Sequence, residues 1–340
     1  MQKQSAYMIT AKGFTLIELL ISVVIGMFLM AGVFTVYVNG RVVQDKTEVQ
    51  TRLIDDARFA IDTISYDLRH AGLWGEMNAH HLIRGALGVS TTILPKTVGS
   101  NPMDPITDLE APDCGPSWYT DLAVSLNASD NSNIFSSTCV GAGYVAGSDI
   151  LVTKYASPTR LPAASLADNV VYVYSNSFQG ELFTGKTAPT FLDAATVGAN
   201  QQGFIHLLNT RVYFVNPDTE TGDGYPSLHR LNLAAGPRLA DVMLLPGVAD
   251  LQIQYGVDTT GDGSVNTYLD PAPGLLSTTK AIQFWVMLRT KDDELLAGET
   301  QTISMAGQPA ITYNGGPRRV VMSTVVKLRN RQTFSTQSGG

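Results

Sequence analysis

The sequence predicts an α+β protein: one long amino-terminal helix, its second half packed on an antiparallel β-sheet, and an elaborated β-rich head. Three observations predict this class. An uncharged apolar run covers residues 19–38, apolar residues then recur at steps of three and four as far as Ala71, and strand-like segments follow from Asp149. A helix and a sheet that each carry one apolar face are expected to bury those faces against each other.

The uncharged run at residues 19–38 is the first element. Its polar residues are Ser22, Thr35 and Tyr37. A helix of about 20 residues spans about 30 Å, which is the thickness of the hydrocarbon core of a bilayer. The run therefore predicts a membrane-spanning helix, with Gly26 and Gly32 as positions where it could bend.

The residues before the run distinguish it from a secretory signal. A secretory signal has its small-residue cleavage site after the apolar segment, whereas Gly13 comes before it here. Cleavage after Gly13 would remove residues 1–13 as a leader and keep the helix on the mature protein. Lys3 and Lys12 are the charged residues of this leader, so the positive-inside tendency places it in the cytoplasm.

Glu18 stands at the start of the apolar sequence. A carboxylate inside a spanning helix costs a few kcal/mol unless it has a partner, so an intramembrane acid indicates a function. The alternative is that Glu18 lies at the level of the lipid headgroups and is solvated.

The segment Gly13-Phe14-Thr15-Leu16-Ile17-Glu18-Leu19 resembles the processing site of type IV pilins and type II secretion pseudopilins. The resemblance implies that a prepilin peptidase cleaves after Gly13 and methylates the new amino terminus at Phe14. It also implies that Glu18 pairs with the free amino terminus of the neighbouring subunit during assembly. Opposite charges attract strongly where the dielectric constant is low, which would make this pairing set the register.

The sequence after the run becomes amphipathic, with an apolar stripe at helical spacing. The stripe consists of Val49, Leu53, Ala57, Ala60 or Ile61, Ile64, Leu68 and Ala71. The charged residues assigned to the other faces are Asp45, Lys46, Glu48, Arg52, Asp55, Asp56, Arg58, Asp62 and Asp67. Gly72 is a plausible stop signal. The pattern predicts one helix over about residues 14–70, with residues 14–40 in the membrane or filament core and 41–72 packed on the head, residues 73–340.

Turn signals are frequent between about residues 75 and 147, which predicts a variable loop region. This region contains Cys114 and Cys139, the two cysteines of the chain. Such a pair is expected to form a disulfide in the periplasm. Metal binding or a catalytic thiol is the alternative, but neither cysteine has a second Cys or a His at ligand spacing.

Strand-like segments occupy the remainder of the head. The candidates are residues 149–155, 169–174, 204–208, 210–215, 227–231, 248–257, 280–289 and 320–329. The turn-rich residues 216–226 predict a hairpin with a long loop. Alternation at residues 251–255 predicts a strand with one face in water.

Residues 248–258, 282–289 and 325–331 together resemble the PilW family of minor type IV pilins. The resemblance implies a pilin-like fold and a subunit that joins other minor pilins and the major pilin in a complex near the pilus tip, which primes assembly and presents an adhesin. It implies single-pass anchoring in the inner membrane, with the head in the periplasm, before transfer to a surface pilus. The alternatives are a minor pseudopilin of a type II secretion system and a membrane-tethered periplasmic hydrolase.

Residues 258–266 resemble the start of a calcium loop, with Asp at the first and fifth positions and Gly at the sixth. The candidate ligands are Asp258, Thr260, Asp262, Ser264 and Asn266. Thr at the third position and Leu269 at the twelfth depart from the pattern. The alternative is a hairpin tip that binds no metal, since Asp and Gly are frequent in such turns.

Composition and motifs argue against two other classes of protein. A net charge of −7 with 16% charged residues does not favour nucleic-acid binding, which usually requires a clustered basic face. The sequence contains no HExxH motif and no Gly-x-Ser-x-Gly elbow. It therefore predicts a structural protein rather than an enzyme, with calcium as its one candidate cofactor.

Overall fold

The computed structural model describes residues 13–89, 97–98, 114, 118–133, 135, 139–140, 143–186, 188–191, 202–219, 222–291, 300–306 and 308–330. The predicted leader lies outside the described residues except for Gly13, and so does much of the predicted loop region 75–147. The chain divides into two compact units, Met1–Arg52 and Leu53–Gly340.

A single helix, α1, comprises Leu16–His70 and confirms the predicted helix. It is continuous through Gly26 and Gly32. After His70, Gly72 adopts a positive φ of 81°, a conformation that ends helices and that glycine adopts without strain. The amide of Gly72 donates to the carbonyl of Lys154 at 3.0 Å, so the chain leaves the helix along the sheet.

The described residues of the second unit form sixteen strands. They are β1 (Ile83–Arg84), β2 (Thr97–Val98), β3 (Leu126–Ala128), β4 (Leu151–Ala156), β5 (Val171–Ser175), β6 (Gly180–Thr184), β7 (Thr190–Phe191), β8 (Phe204–Asn216), β9 (Ser227–Ala234), β10 (Arg238–Pro246), β11 (Val248–Val257), β12 (Thr267–Leu269), β13 (Thr279–Arg289), β14 (Thr300–Ile303), β15 (Ile311–Asn314) and β16 (Arg319–Lys327).

The larger sheet is organised around the long strand β8. Its strand order is β1-β6-β5-β8-β4-β3, with β9 paired to β8 and β10 paired to β9. Residues 204–207 of β8 pair with β5, residues 208–213 pair with β4, and residues 211–216 pair with β9. All these pairs are antiparallel except β1 with β6, which is parallel. The predicted strands at 204–208 and 210–215 are thus one strand, and β8–β9 is the predicted hairpin.

The second sheet has four antiparallel strands in the order β12-β11-β13-β16. Between β13 and β16 the chain forms a separate hairpin of β14 and β15. Strands β2 and β7 pair with each other outside both sheets.

The largest apolar cluster joins the helix to both sheets. The helix contributes Leu53, Ala57, Ala60, Ile61, Ile64 and Leu68. The sheets contribute, among others, Leu151, Tyr213, Val215, Ile253, Phe284 and Val326. Burial of one large apolar side chain contributes about 1.5–3 kcal/mol, so this cluster is the main attachment of the helix within the second unit. The predicted stripe is confirmed from Leu53 to Ala71.

Two polar residues lie elsewhere than the sequence predicts. The helical spacing predicts that Asp67 lies on a face other than the apolar stripe, but its side chain is buried, with 2% exposed. The alternation in β11 predicts that Gln252 lies on the face in water, but it is also 2% exposed. Its Nε2 donates to the carbonyl of Gly147 at 2.8 Å, and its Oε1 accepts from Gln308, which follows β14. The segment after β14 therefore covers part of the face that was predicted to be in water.

Candidate functional site

The amino-terminal residues singled out by the sequence lie at the first turn of α1. The amide of Thr15 and its Oγ1 both donate to Oε2 of Glu18 at 3.0 Å. The amide of Glu18 donates in return to Oγ1 of Thr15 at 3.3 Å. This reciprocal pair is a capping box, which satisfies amides that the start of a helix leaves without partners. Its sequence signal is Thr followed three residues later by Glu, which the chain contains at Thr15 and Glu18 and from which the capping box could have been predicted.

The capping box is compatible with removal of the leader. It uses atoms of Thr15 and Glu18 alone, and both residues follow the predicted cleavage point. Gly13 and Phe14 precede the helix, and Phe14 is 88% exposed. The peptide bond between them is therefore outside hydrogen-bonded secondary structure, where a peptidase can bind it in an extended form.

The first unit presents an almost continuous apolar surface. Its exposed large apolar residues are Phe14, Leu16, Ile17, Leu19, Leu20, Ile21, Val23, Val24, Ile25, Met27, Phe28, Leu29, Met30, Val33, Phe34, Val36, Tyr37, Val38 and Val43. Soluble monomers rarely expose apolar patches larger than a few hundred Å². Among the described residues, one helix is long and apolar enough to cross a membrane, and it is α1.

The few polar groups on this surface are satisfied within the helix. Ser22 Oγ donates to the carbonyl of Leu19 and Thr35 Oγ1 donates to the carbonyl of Ala31, each at 2.9 Å. Internal satisfaction is what a helix requires in lipid, where no water replaces a missing partner. The surface is therefore suited to lipid or to the apolar helices of other subunits.

Tyr37 and Arg41 lie one turn apart near the end of the apolar surface. Arg41 Nε donates to the hydroxyl of Tyr37 at 3.3 Å, and its guanidinium lies 5.8 Å from the centre of the ring. Tyrosine and arginine are typical of the boundary between lipid and water. This pair fits the predicted change near residue 40 from the membrane part to the amphipathic part.

The predicted disulfide is confirmed. It joins Cys114 to Cys139 with their Cα atoms 4.5 Å apart. Cys139 lies in an apolar cluster with Val140, Ile150 and Phe214, so the bridge fastens this part of the loop region to the larger sheet.

The candidate calcium loop forms the tip of the β11–β12 hairpin, where Val257 pairs with Thr267. The carboxylate of Asp258 accepts the amides of Thr260, Gly261 and Gly263 at 3.1, 2.6 and 2.8 Å. The other two side chains that organise the loop do the same: Asn266 Oδ1 accepts the amide of Thr259, and Asp262 Oδ1 accepts that of Ser264. These hydrogen bonds hold the loop in the conformation of a tight turn. In the part of the chain that the structure describes, no three His, Cys, Asp or Glu residues cluster as metal ligands would.

Calcium binding at Asp258, Thr260, Asp262, Ser264 and Asn266 stays a prediction. If it is correct, isothermal titration of the purified full-length protein in detergent with calcium gives a binding heat. Asp262→Ala removes a hard oxygen ligand and is expected to abolish that heat, because calcium requires about 6–8 oxygen ligands. No heat with the unaltered protein would contradict the prediction.

A buried group that the sequence did not reveal joins the helix to the larger sheet. The carboxylate of Asp67 accepts a hydrogen bond from the hydroxyl of Tyr155 in β4 at 2.6 Å and another from the hydroxyl of Tyr213 in β8. Arg211 Nε lies 3.9 Å from the same carboxylate. Burial, followed by the nearby Asp67 charge, raises the pKa of both tyrosines, so they act here as hydrogen-bond donors.

A Ser–His–Asp chain in the larger sheet bears on the hydrolase alternative. His229 Nδ1 lies 2.9 and 3.0 Å from the two carboxylate oxygens of Asp241, and its Nε2 lies 3.0 Å from Ser227 Oγ. Ser227 is fully buried, and its hydroxyl donates to the carbonyl of Asp218 at 2.5 Å. A nucleophile must be reachable by substrate and must give its proton to the histidine. These hydrogen bonds therefore connect β9 to β10 and to the β8–β9 loop. The hydroxyl of Ser227 is not accessible from solvent as a nucleophile.

Asp149 is a second buried carboxylate, 1% exposed, just before β4. Its two oxygens accept the amides of Asn131 and Ile253, each at 2.7 Å. Burial raises the pKa of Asp149 to about 7, and the charges of Asp130 and Asp250 act in the same direction. The Asp149 carboxylate thus joins a loop to β11, although removing a carboxylate from water costs free energy.

This pKa predicts a pH dependence of stability. The pKa of an unfolded Asp is about 4, so the folded protein binds more protons than the unfolded chain between about pH 4 and about pH 7. We expect the free energy of unfolding to fall as the pH rises through this window, by about 1.4 kcal/mol per pH unit. Denaturant unfolding at several pH values measures this slope.

The control for this prediction is Asp149→Asn, which cannot titrate. We expect the variant to lose most of the slope, while Asp250, whose pKa burial also raises, retains the remainder. An identical slope in the variant and the unaltered protein would show that Asp149 is not responsible.

Comparison with known families gives two matches. Residues 8–34 match the prokaryotic N-terminal methylation motif, and residues 212–330 match type IV pilus-assembly protein W, PilW. The second match includes the end of β8 and all of β9 to β16. Both matches confirm the resemblance drawn from the sequence. No curated protein and no solved structure matches the chain.

Proposed function

We propose that this chain, which matches a PilW-like minor pilin of type IV pili, joins a tip or priming complex that initiates pilus assembly and presents an adhesin. The role is structural rather than enzymatic. The observation that carries it is the exposed apolar surface of the first unit, which begins at Phe14, directly after Gly13, and carries the carboxylate of Glu18 in the first turn of α1.

The two states of the protein follow from this surface. Before assembly, α1 anchors the protein in the inner membrane with its head in the periplasm. A prepilin peptidase removes residues 1–13 and methylates Phe14. In the pilus, the helices of other minor pilins and of the major pilin replace lipid around the same apolar side chains, so little apolar area is exposed to water during the transfer.

Glu18 provides the negative charge that pairs one subunit with the next when the protein moves from the membrane into the pilus. Its carboxylate caps its own helix, but a carboxylate has about four lone-pair sites and the capping box uses two hydrogens on one oxygen. The other oxygen is available for the positive amino terminus of the neighbouring subunit. In a medium of low dielectric constant this attraction is large, and it exists in one register only.

Mass spectrometry of the protein from sheared pili tests the processing step. The proposal requires a mature chain that begins with N-methylated Phe14. A chain that retains Met1, or one that lacks the apolar segment, would contradict it.

Deletion of the gene separates the remaining alternatives. A priming minor pilin predicts loss of surface pili, and co-purification of the protein with other minor pilins and a large adhesin. Loss of protein secretion with pili intact would instead identify a type II pseudopilin. Pili and secretion that are both normal would leave the tethered hydrolase.

A further inference from the structure

Strand β16 forms one edge of the four-stranded sheet. It pairs with β13 on one side, and no described residue forms a ladder with its other side. The edge of a sheet offers unpaired amides and carbonyls to any extended chain, so proteins usually keep edge strands short or cover them. Strand β16 has nine residues and is long for an edge strand.

The backbone groups that face this edge follow from the register. The amide of Leu328 donates to the carbonyl of Lys280, and the amide of Thr290 donates to that of Arg318. Hydrogen-bonded pairs alternate along an antiparallel ladder, and the register between these two bonds has no bulge. The even-numbered residues of β16 therefore bond to β13. The outward-facing amides and carbonyls belong to Val321, Ser323, Val325 and Lys327.

One end of this edge is already protected. The amide of Arg319, which also faces outward, donates to Oε1 of Gln301 in β14 at 3.0 Å. No described group bonds to the backbone of the next outward positions, from Val321 to Lys327. Ser323 and Val325 are exposed, Val325 by 49%. The open part of the edge is therefore accessible and carries an apolar side chain at its centre.

The charges around the edge indicate what can occupy it. The protein has a net charge of −7, yet the sequence contains no Asp or Glu after Glu299. Arg319 and Lys327 are at the two ends of β16, and Arg329 follows. Antiparallel pairing of two copies centred on Ser323 would place Arg319 opposite Lys327 of the second copy, and like charges in that position destabilise a ladder.

We propose that the free edge of β16 binds an extended acidic segment of another protein by β-strand addition. The segment bonds to the outward amides and carbonyls of Val321, Ser323, Val325 and Lys327, and its acidic residues lie near Arg319, Lys327 and Arg329. Backbone pairing supplies affinity, and the charges select the partner. This surface is distinct from α1, so the proposal does not depend on the proposed function.

Ser323→Pro tests the backbone contacts. The amide of Ser323 faces outward, so proline removes no bond to β13 and is compatible with an edge strand. Ser323→Ala keeps the amide and is the matched control. Thr324→Pro removes an amide that bonds to β13, and we expect it to destabilise the sheet in thermal unfolding while Ser323→Pro does not.

Crosslinking identifies the occupant. A photoreactive residue at position 325 of the full-length protein is activated in the cells that make it, and the crosslinked peptide is sequenced by mass spectrometry. We expect a segment of a different protein that contains Asp or Glu. Ser323→Pro reduces the adduct about tenfold or more, as does the charge reversal of Lys327→Glu with Arg329→Glu, whereas Ser323→Ala does not.

Any other occupant overturns the proposal. A crosslink to a second copy, to the chain's own residues or to a segment without acidic residues contradicts it, and so does the lack of any adduct. An adduct that neither Ser323→Pro nor the charge reversal reduces also contradicts it. If Ser323→Pro does not fold, the charge reversal decides, because it changes exposed side chains and no backbone bond.

Discussion

Glu18→Gln is expected to prevent the protein from entering pili while cleavage after Gly13 continues. Glutamine can replace glutamate in a capping box, so the first turn of α1 keeps its bonds with Thr15. It carries no charge, however, and the attraction to the amino terminus of a neighbouring subunit is lost. We expect the amount of protein in sheared pili to fall about tenfold or more, which corresponds to about 1.4 kcal/mol.

Thr15→Val is the matched control for this prediction. It removes the hydroxyl that accepts the amide of Glu18 and leaves the charge of Glu18 in place. Immunoblots of pili and membranes then separate the two roles of the carboxylate. If helix capping were its sole role, Thr15→Val would impair assembly and Glu18→Gln would not. That result would contradict the proposed pairing between subunits.

Asp67→Ala is expected to give the largest loss of stability. It leaves the buried hydroxyls of Tyr155 and Tyr213 without their acceptor, and each unpaired group costs about 1–3 kcal/mol. We therefore expect the free energy of unfolding to fall by about 3–5 kcal/mol, as when one partner of a buried charged group is removed. Denaturant unfolding of the purified full-length protein measures the change.

Asp62→Ala provides the comparison, because Asp62 lies on the same helix and is exposed. We expect it to change the free energy of unfolding by less than about 0.5 kcal/mol. Tyr155→Phe together with Tyr213→Phe should recover part of the loss in the Asp67→Ala protein, since removing both partners leaves fewer unpaired groups. Equal effects of Asp67→Ala and Asp62→Ala would show that the buried network contributes little.

Prediction from the sequence succeeded where a local period decides the structure. The boundaries of α1 follow from a long uncharged run, a stripe at steps of three and four, and a glycine at the end. The strands β4, β5, β11, β13 and β16 were found in runs of β-branched and aromatic residues, and β9 was found as the strand that follows the turn-rich residues 216–226. Even the hairpin tip at Asp258 was one of the two stated interpretations, because Asp and Gly favour such turns.

Prediction failed where residues distant in the sequence decide the environment. Strand β6 begins at Gly180, and β10 contains Asp241 and exposed positions, so neither has a strong strand pattern. Each is a strand because β5 or β9 offers it an unpaired edge. The sequence predicts a break at Asn209 between two strands, but Asn209 pairs with Tyr155 within the continuous strand β8.

The sequence by itself determined the long apolar helix, the position of Gly13 before it, the acid at position 18, the cysteine pair and most of the strands. Each of these depends on residue type and on spacing along a few turns or one strand. Tertiary structure alone decided that Asp67 and Gln252 are buried and that, among the residues the structure describes, none pairs with the outer edge of β16. The physical reason is that burial and pairing depend on which distant segment covers a side chain or a backbone group. The identity of that covering segment cannot be predicted from a local sequence pattern.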